Sequence, residues 1–165
     1  MPLLVGGRGQ LGDLLKQKIK QLPQDIIIYH TWQVADKSEP TQISEYEKFQ
    51  RFVDQNSEKN IVFISSKSQR NTWYSHYKQL SEAYLLTKCQ KGIVIRLPTF
   101  IGKPSKLFET DKDIETYGEI ELISVEGAAN KIIEICNSKT LLKCFDIEGE
   151  VVSATLVRRI VEAVS

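Results

Sequence analysis

Two short patterns in this 165-residue sequence combine residue types that can do chemistry. The first is Gly6-Gly7-Arg8-Gly9-Gln10-Leu11-Gly12, in which Gly6, Gly9 and Gly12 recur every three residues. Without a Cβ, glycine lets the chain turn tightly and lets a phosphate approach the backbone closely. If a helix starts at once, its free N–H groups and positive dipole end face the same anion. The stretch from Gly6 to Gly12 is therefore expected to cradle a pyrophosphate, with Gly12 allowing close helix packing. Arg8 either adds a charge contact to the phosphate or faces water. The plainer alternative is a tight strand-to-helix turn without a ligand, and three glycines in this context weigh against it.

The second pattern is Tyr74 and Lys78, four residues apart and so on one face of a helix. A tyrosine has a pKa of about 10 and needs it lowered to act as a base near neutrality. A neighbouring ammonium stabilises the phenolate. A shift of roughly three units needs about 4 kcal/mol of differential stabilisation, more than a lysine in water supplies, so partial desolvation and a bound cation would have to help. Ser66 closes the preceding strand, where its hydroxyl can orient a substrate oxygen or simply cap a turn. Tyr77 has no lysine four residues on. His76 is expected to point away from the pair, and His30 to be structural.

Composition narrows the remaining classes. With 41% hydrophobic and 26% charged residues the chain suits an ordinary globule with one core. A net charge of +1 makes no electrostatic case for nucleic acid or an anionic membrane. No apolar run approaches the roughly 20 residues needed to span a bilayer. Met1-Pro2-Leu3-Leu4-Val5 runs straight into glycines and does not resemble a signal peptide. Cys89, Cys136 and Cys144 are odd in number and lack metal-type spacing, which predicts free thiols, a cytoplasmic setting and no metal site.

The elements that would position these groups alternate. Apolar runs at 2–5, 25–29, 61–64 and 93–97 read as buried strands. Helical spacing marks Leu11 to Leu22 up to Pro23, Ile43 to Val53, Trp73 to Lys88, and Val125 to Cys136. Residues 31–42, which include Pro40, read as loop. So do 99–120, apart from a short segment near Leu107. Residues 121–124 and 143–147 are further strand candidates, and Ser153 can cap a last helix. There is no internal repeat or linker. The expected fold is α/β and Rossmann-like: one domain over 1–165, a mostly parallel sheet with helices on both faces, and a reduced strand number.

Four blocks in order resemble the extended short-chain dehydrogenase/reductase family, particularly its nucleotide-sugar epimerases and dehydratases. They are Leu4 to Gly12; Ile61-Val62-Phe63-Ile64-Ser65-Ser66; Tyr74-Ser75-His76-Tyr77-Lys78 with Glu82 where the family often has an acid; and Ile95-Arg96-Leu97-Pro98-Thr99-Phe100-Ile101-Gly102. A weaker fifth match runs from Ile123 to Ala129, with Gly127 in place of the family's acid. The resemblance implies catalytic positions at Ser66, Tyr74 and Lys78, dinucleotide-turn positions at Gly6, Gly9 and Gly12, and NAD or NADP as cofactor. The implied chemistry is hydride transfer at a sugar or nucleotide-sugar carbon. Tyr74 would exchange the hydroxyl proton, Lys78 would tune Tyr74 and hold ribose, and Ser66 would orient the substrate.

The sequence also departs from that pattern. Asp25-Ile26-Ile27-Ile28-Tyr29-His30-Thr31-Trp32 looks most like the family's fourth strand, which leaves no second or third strand and no clear acid for the adenosine ribose. Asp36, on a polar stretch, is a poor substitute. The strand at 25–29 therefore either keeps the fourth-strand place, with the first helix on the opposite face, or moves to the second-strand place. The second-strand place is the expectation adopted here, since it keeps the glycine turn and its helix in their usual relation. Only eight positions separate Ser66 from Tyr74, and residues 99–165 form a reduced substrate region. A small substrate, a homodimer that completes the site, or a relative that binds a nucleotide or partner without turnover would each fit. A structural subunit that pairs through a sheet edge is a further reading.

Overall fold

Strands whose residues are apolar on both faces must lie inside a sheet covered on both sides, and that requirement organises this chain. The computed structural model describes residues 1–23, 25–68, 70–101 and 118–164. Five parallel strands are β1 (Leu3–Gly6), β2 (Ile26–His30), β3 (Asn60–Ser66), β4 (Ile93–Leu97) and β7 (Cys144–Asp146), in the order β1-β2-β3-β4-β7. Helices α1 (Gln10–Lys18), α2 (Glu39–Gln55), α3 (Trp73–Lys88), α4 (Val125–Asn137) and α5 (Ala154–Val164) follow in chain order, with a 3₁₀ turn at Ile19–Gln21. A smaller sheet joins β5 (Thr99–Ile101), β6 (Glu119–Ser124) and β8 (Glu150–Ser153), with β6 and β8 antiparallel. Lys67, just past β3, ties the two sheets. Its ammonium pairs with Glu121 of β6 at 2.6 Å and donates to the Ile147 carbonyl at 3.2 Å.

Two apolar layers flank the main sheet. One packs Leu11 and Leu15 of α1 with Val125, Ala128, Ala129, Ile132 and Ile133 of α4 against Ile28, Val62 and Ile95. The other packs Phe49 and Val53 of α2 and Leu85 of α3 against Tyr29, Ile61, Phe63 and Val94. The α/β, mostly parallel Rossmann-like fold is thus the one expected, with α3 and β4 bounded as the sequence implies.

Three expectations need correction. Residues 31–42 are not all loop, because α2 begins at Glu39. Pro40 sits in its first turn, where an absent N–H costs nothing, and Gln42 is fully buried. Residues 99–120 are not all loop either. Residues 99–101 form β5, β6 starts at Glu119, and the unforeseen β8 precedes the last helix. The Leu107 segment and Gly102 lie outside the described residues. Ser153 does cap α5, accepting from the Leu156 amide at 3.4 Å.

The third correction concerns β2. It does not take the second-strand place beside an interior β1. It lies between β1 and β3, the fourth-strand place, and β1 stands at the edge. The reason is burial: Ile26 to Tyr29 are buried throughout, while β1 is short, follows Pro2 and is only partly covered. The links β1–α1–β2 and β2–α2–β3 step across the sheet in the same direction but carry their helices on opposite faces. They therefore have opposite hands, and one of them breaks the right-handed preference for such crossovers.

Candidate active site

The glycine turn leaves β1 at its carboxyl end. Gly6, Gly7 and Gly9 all have φ between +83° and +88°, where side chains are strained. A Cβ on Gly6 would collide with the His30 carbonyl, and the Gly7 amide donates to that carbonyl at 2.9 Å. A Cβ on Gly12 would overlap the backbone of Gly7, so α1 sits directly on the turn. Gly9 differs: a Cβ there would meet nothing within 4 Å, so its side of the turn is open. Arg8 is exposed and Gln10 half-buried. The Leu11 side chain is buried in the core, which leaves only its backbone for a ligand.

Helix α3 starts at a Thr72 cap, whose hydroxyl accepts from the Ser75 amide at 3.2 Å. From there Tyr74, Lys78 and Glu82 follow on one face at four-residue steps. The Lys78 ammonium donates to the Ile64 carbonyl at 2.9 Å and lies 4.6 Å from the Phe63 ring, 4.8 Å from the Trp32 ring and 5.9 Å from the Tyr74 ring. Burial pushes its pKa down to about 7, against the opposing pull of Glu82 and Glu45. His30, at the end of β2, is pushed down to about 4, chiefly by burial and further by the Lys78 charge. It is neutral at physiological pH and suits a structural role.

Glu82 is buried and fully engaged. One oxygen accepts from Ser65 Oγ at 2.6 Å, and the other takes Arg96 Nε at 2.8 Å and Arg96 Nη2 at 2.7 Å. Arg96 also reaches Asp146 at 3.2 Å, so the network binds β3, α3, β4 and β7 together. These bonds and charges raise the Arg96 pKa.

Ser66 Oγ accepts from the Ser68 amide at 3.1 Å, which closes a turn after β3. Ser68 Oγ in turn lies 3.4 Å from Ser75 Oγ, so a run of hydroxyls leads from the strand end to the first turn of α3. Asp36 binds the Ser38 amide and the Thr41 hydroxyl and so organises the start of α2. His76 is exposed and sits edge-on to Trp73, whereas Tyr77 is half-buried between Trp73 and Tyr46 of α2, with ring centroids at 6.2 and 5.8 Å. Gly127 donates to the Ser124 cap at 2.9 Å. All three cysteines are free. Among the described residues no group of three metal-ligating side chains occurs, and no helix is long and apolar enough to cross a membrane.

The glycine turn, His30, Ser66 and the Tyr74–Lys78 face therefore belong to the carboxyl ends of β1, β2 and β3 and the helix beside them. Chains leave β1 and β2 toward opposite faces of the sheet, and the carboxyl ends of parallel strands are the side on which open α/β sheets hold ligands, although the strand order here does not reverse. Sequence reasoning missed Trp32 and Gln42. The one available signal is a glutamine immediately before the helix expected from Ile43 to Val53, where the helix in fact begins earlier, at Glu39.

No family model matches the sequence, and no curated protein matches it. Solved structures do match. UDP-N-acetylglucosamine 4-epimerase from Bacillus cereus is 14% identical with a TM-score of 0.73, over 98% of this chain and 83% of that one. dTDP-4-dehydrorhamnose reductase from Bacillus anthracis, in complex with NADP, is 15% identical with a TM-score of 0.74, over 99% and 80%. A hypothetical dTDP-4-dehydrorhamnose reductase from Sulfolobus tokodaii is 18% identical with a TM-score of 0.72, over 98% and 81%. The chain thus has the Rossmann-like fold of these epimerases and reductases, the fold that its resemblance to extended short-chain dehydrogenases implies.

Proposed function

We propose that the chain binds NAD or NADP across the glycine turn and acts on a sugar or nucleotide-sugar as an oxidoreductase or epimerase/dehydratase. What supports this reading is that the glycine turn follows β1 and Ser66 ends β3 at the carboxyl edge of one parallel sheet, with Tyr74 and Lys78 on the helix that follows β3. The open side of Gly9 and the start of α1, whose dipole is positive at that end, fit a pyrophosphate. When bound, the nicotinamide supplies the hydride donor or acceptor. Tyr74 exchanges the proton of the sugar hydroxyl. Lys78 favours the phenolate and holds ribose. Ser66 orients the substrate, since its bond from the Ser68 amide uses a lone pair and not its proton. The small β5–β6–β8 sheet belongs to the reduced substrate region, which a second subunit of a homodimer would complete. Three free thiols suit a cytoplasmic location.

One set of observations favours a second reading, a relative that binds a nucleotide or partner protein without turnover. β1 is an edge strand, Asp36 is committed to α2, and Lys78 already donates to a backbone carbonyl. Calorimetry with NAD, NADP and shorter nucleotide fragments separates the two, on wild type and on Gly9→Asp with folding checked by circular dichroism. Dinucleotide binding that the substitution abolishes is the expected result. Binding of a mononucleotide only, or of nothing, refutes the dinucleotide reading. Turnover that survives Tyr74→Phe removes Tyr74 from the chemistry. Light scattering decides the homodimer.

A further inference from the structure

Lys78 is the cation through which the proposed chemistry acts, and it is covered. The residue is 6% exposed, and its ammonium lies among the Ile64 carbonyl and the rings of Phe63, Trp32 and Tyr74. Phe63 and Ile64 belong to β3, an interior strand paired on both sides, and cannot move without breaking the sheet. Tyr74 is fixed to α3 one turn away. Of the four, only Trp32 comes from an irregular connection, residues 31–38 between β2 and α2, and it is half-buried.

A dedicated support holds the indole in place. Trp32 Nε1 donates to Gln42 Oε1 at 2.7 Å, and Gln42 Nε2 donates to the Gln33 and Asp36 carbonyls, both at 2.8 Å. Gln42 is 0% exposed. Burying a glutamine is unfavourable unless its amide is satisfied, and this amide is engaged wholly by Trp32 and by the loop that carries it.

We infer that Trp32 is a lid over Lys78, latched by Gln42, which a ligand must displace before the ammonium can grip it. The ligand class is a nucleotide whose ribose hydroxyls reach past the glycine turn to Lys78, and this part rests on the proposed function. The lid itself rests on the geometry alone. A fragment that ends at the pyrophosphate leaves Trp32 latched, whereas a whole nicotinamide dinucleotide moves it. The depressed pKa of Lys78 agrees with an ammonium kept from water by this cover.

Two measurements on the full chain test the lid. The first is reductive methylation at pH 8, followed by peptide mass mapping. With each rate referred to the neutral amine through the pH dependence of labelling, Lys78 is expected to react at least about tenfold more slowly than exposed Lys91, and at least about tenfold faster in Trp32→Ala than in wild type, because modification of a covered amine needs local opening. The second uses Trp73→Phe, which leaves Trp32 as the sole indole of the two in the chain. Acrylamide quenching of its fluorescence should be weak, and should rise several-fold when NAD or NADP is bound. The second measurement holds even if Trp32→Ala does not fold. Wild-type Lys78 that reacts like Lys91, a folded Trp32→Ala with unchanged Lys78 reactivity, or dinucleotide binding that leaves Trp32 quenching unchanged would each overturn the lid. Faster labelling in Trp32→Ala with no nucleotide bound to either protein upholds the lid and refutes the cofactor reading.

Discussion

Replacing Lys78 by methionine isolates what a buried ammonium does to stability. Burial lowers the Lys78 pKa from 10.5 to about 7 in the folded chain. Between those values the unfolded chain binds more protons than the folded one, so stability rises with pH across that window. Below pH 7 both states carry the charge and the full penalty is present. From pH 7 to 9 the folded lysine loses its proton while the unfolded one keeps it. Integration of the proton difference gives about 2 kcal/mol of added stability, at about 1.4 kcal/mol per unit. Cys136 acts in the opposite sense above pH 9, since burial raises its pKa from 9.0 to about 12. His30 acts only at lower pH, between about 4 and 6.5. The assay is urea unfolding at pH 7, 8 and 9 on wild type and Lys78→Met, with the difference of slopes cancelling the thiol. Wild type should gain about 2 kcal/mol relative to the variant across this range. Equal pH slopes in the two proteins would refute the argument that Lys78 is desolvated in the native state.

Four further outcomes are expected. Glu82→Ala leaves the Ser65 hydroxyl and Arg96 without their buried partner, and urea denaturation should show a loss of about 2–4 kcal/mol, discounted because Arg96 is 32% exposed and keeps Asp146. Asp146→Asn, at an exposed carboxylate, should cost under about 1 kcal/mol by the same assay. Gly12→Ala drives a methyl into the Gly7 backbone and should lower stability by roughly 1–3 kcal/mol in a thermal melt, with glycine-turn amides exchanging faster. In the native protein a thiol reagent should modify Cys144 quickly and Cys89 and Cys136 only on unfolding, since Cys144 is the exposed one of the three.

The sequence by itself determined the local elements and the residues that share their faces. Short continuous apolar runs such as Ile26-Ile27-Ile28, alternating with helices, point to strands of a mostly parallel sheet, and the 3.6-residue period puts Tyr74, Lys78 and Glu82 on one face before any contact is known. The glycine turn was legible for the same reason: positive φ at Gly6, Gly7 and Gly9 and the close approach at Gly12 are demands that glycine alone meets. Tertiary structure alone decided the place of β2, because a strand apolar on both faces carries no mark of which neighbour it will have. It also decided that Trp32 covers Lys78, that Gln42 turns inward, and that Arg96 and Asp146 complete the Glu82 network. Those contacts join residues far apart in the chain, and their energies arise only once the sheet has brought the carboxyl ends of its strands together.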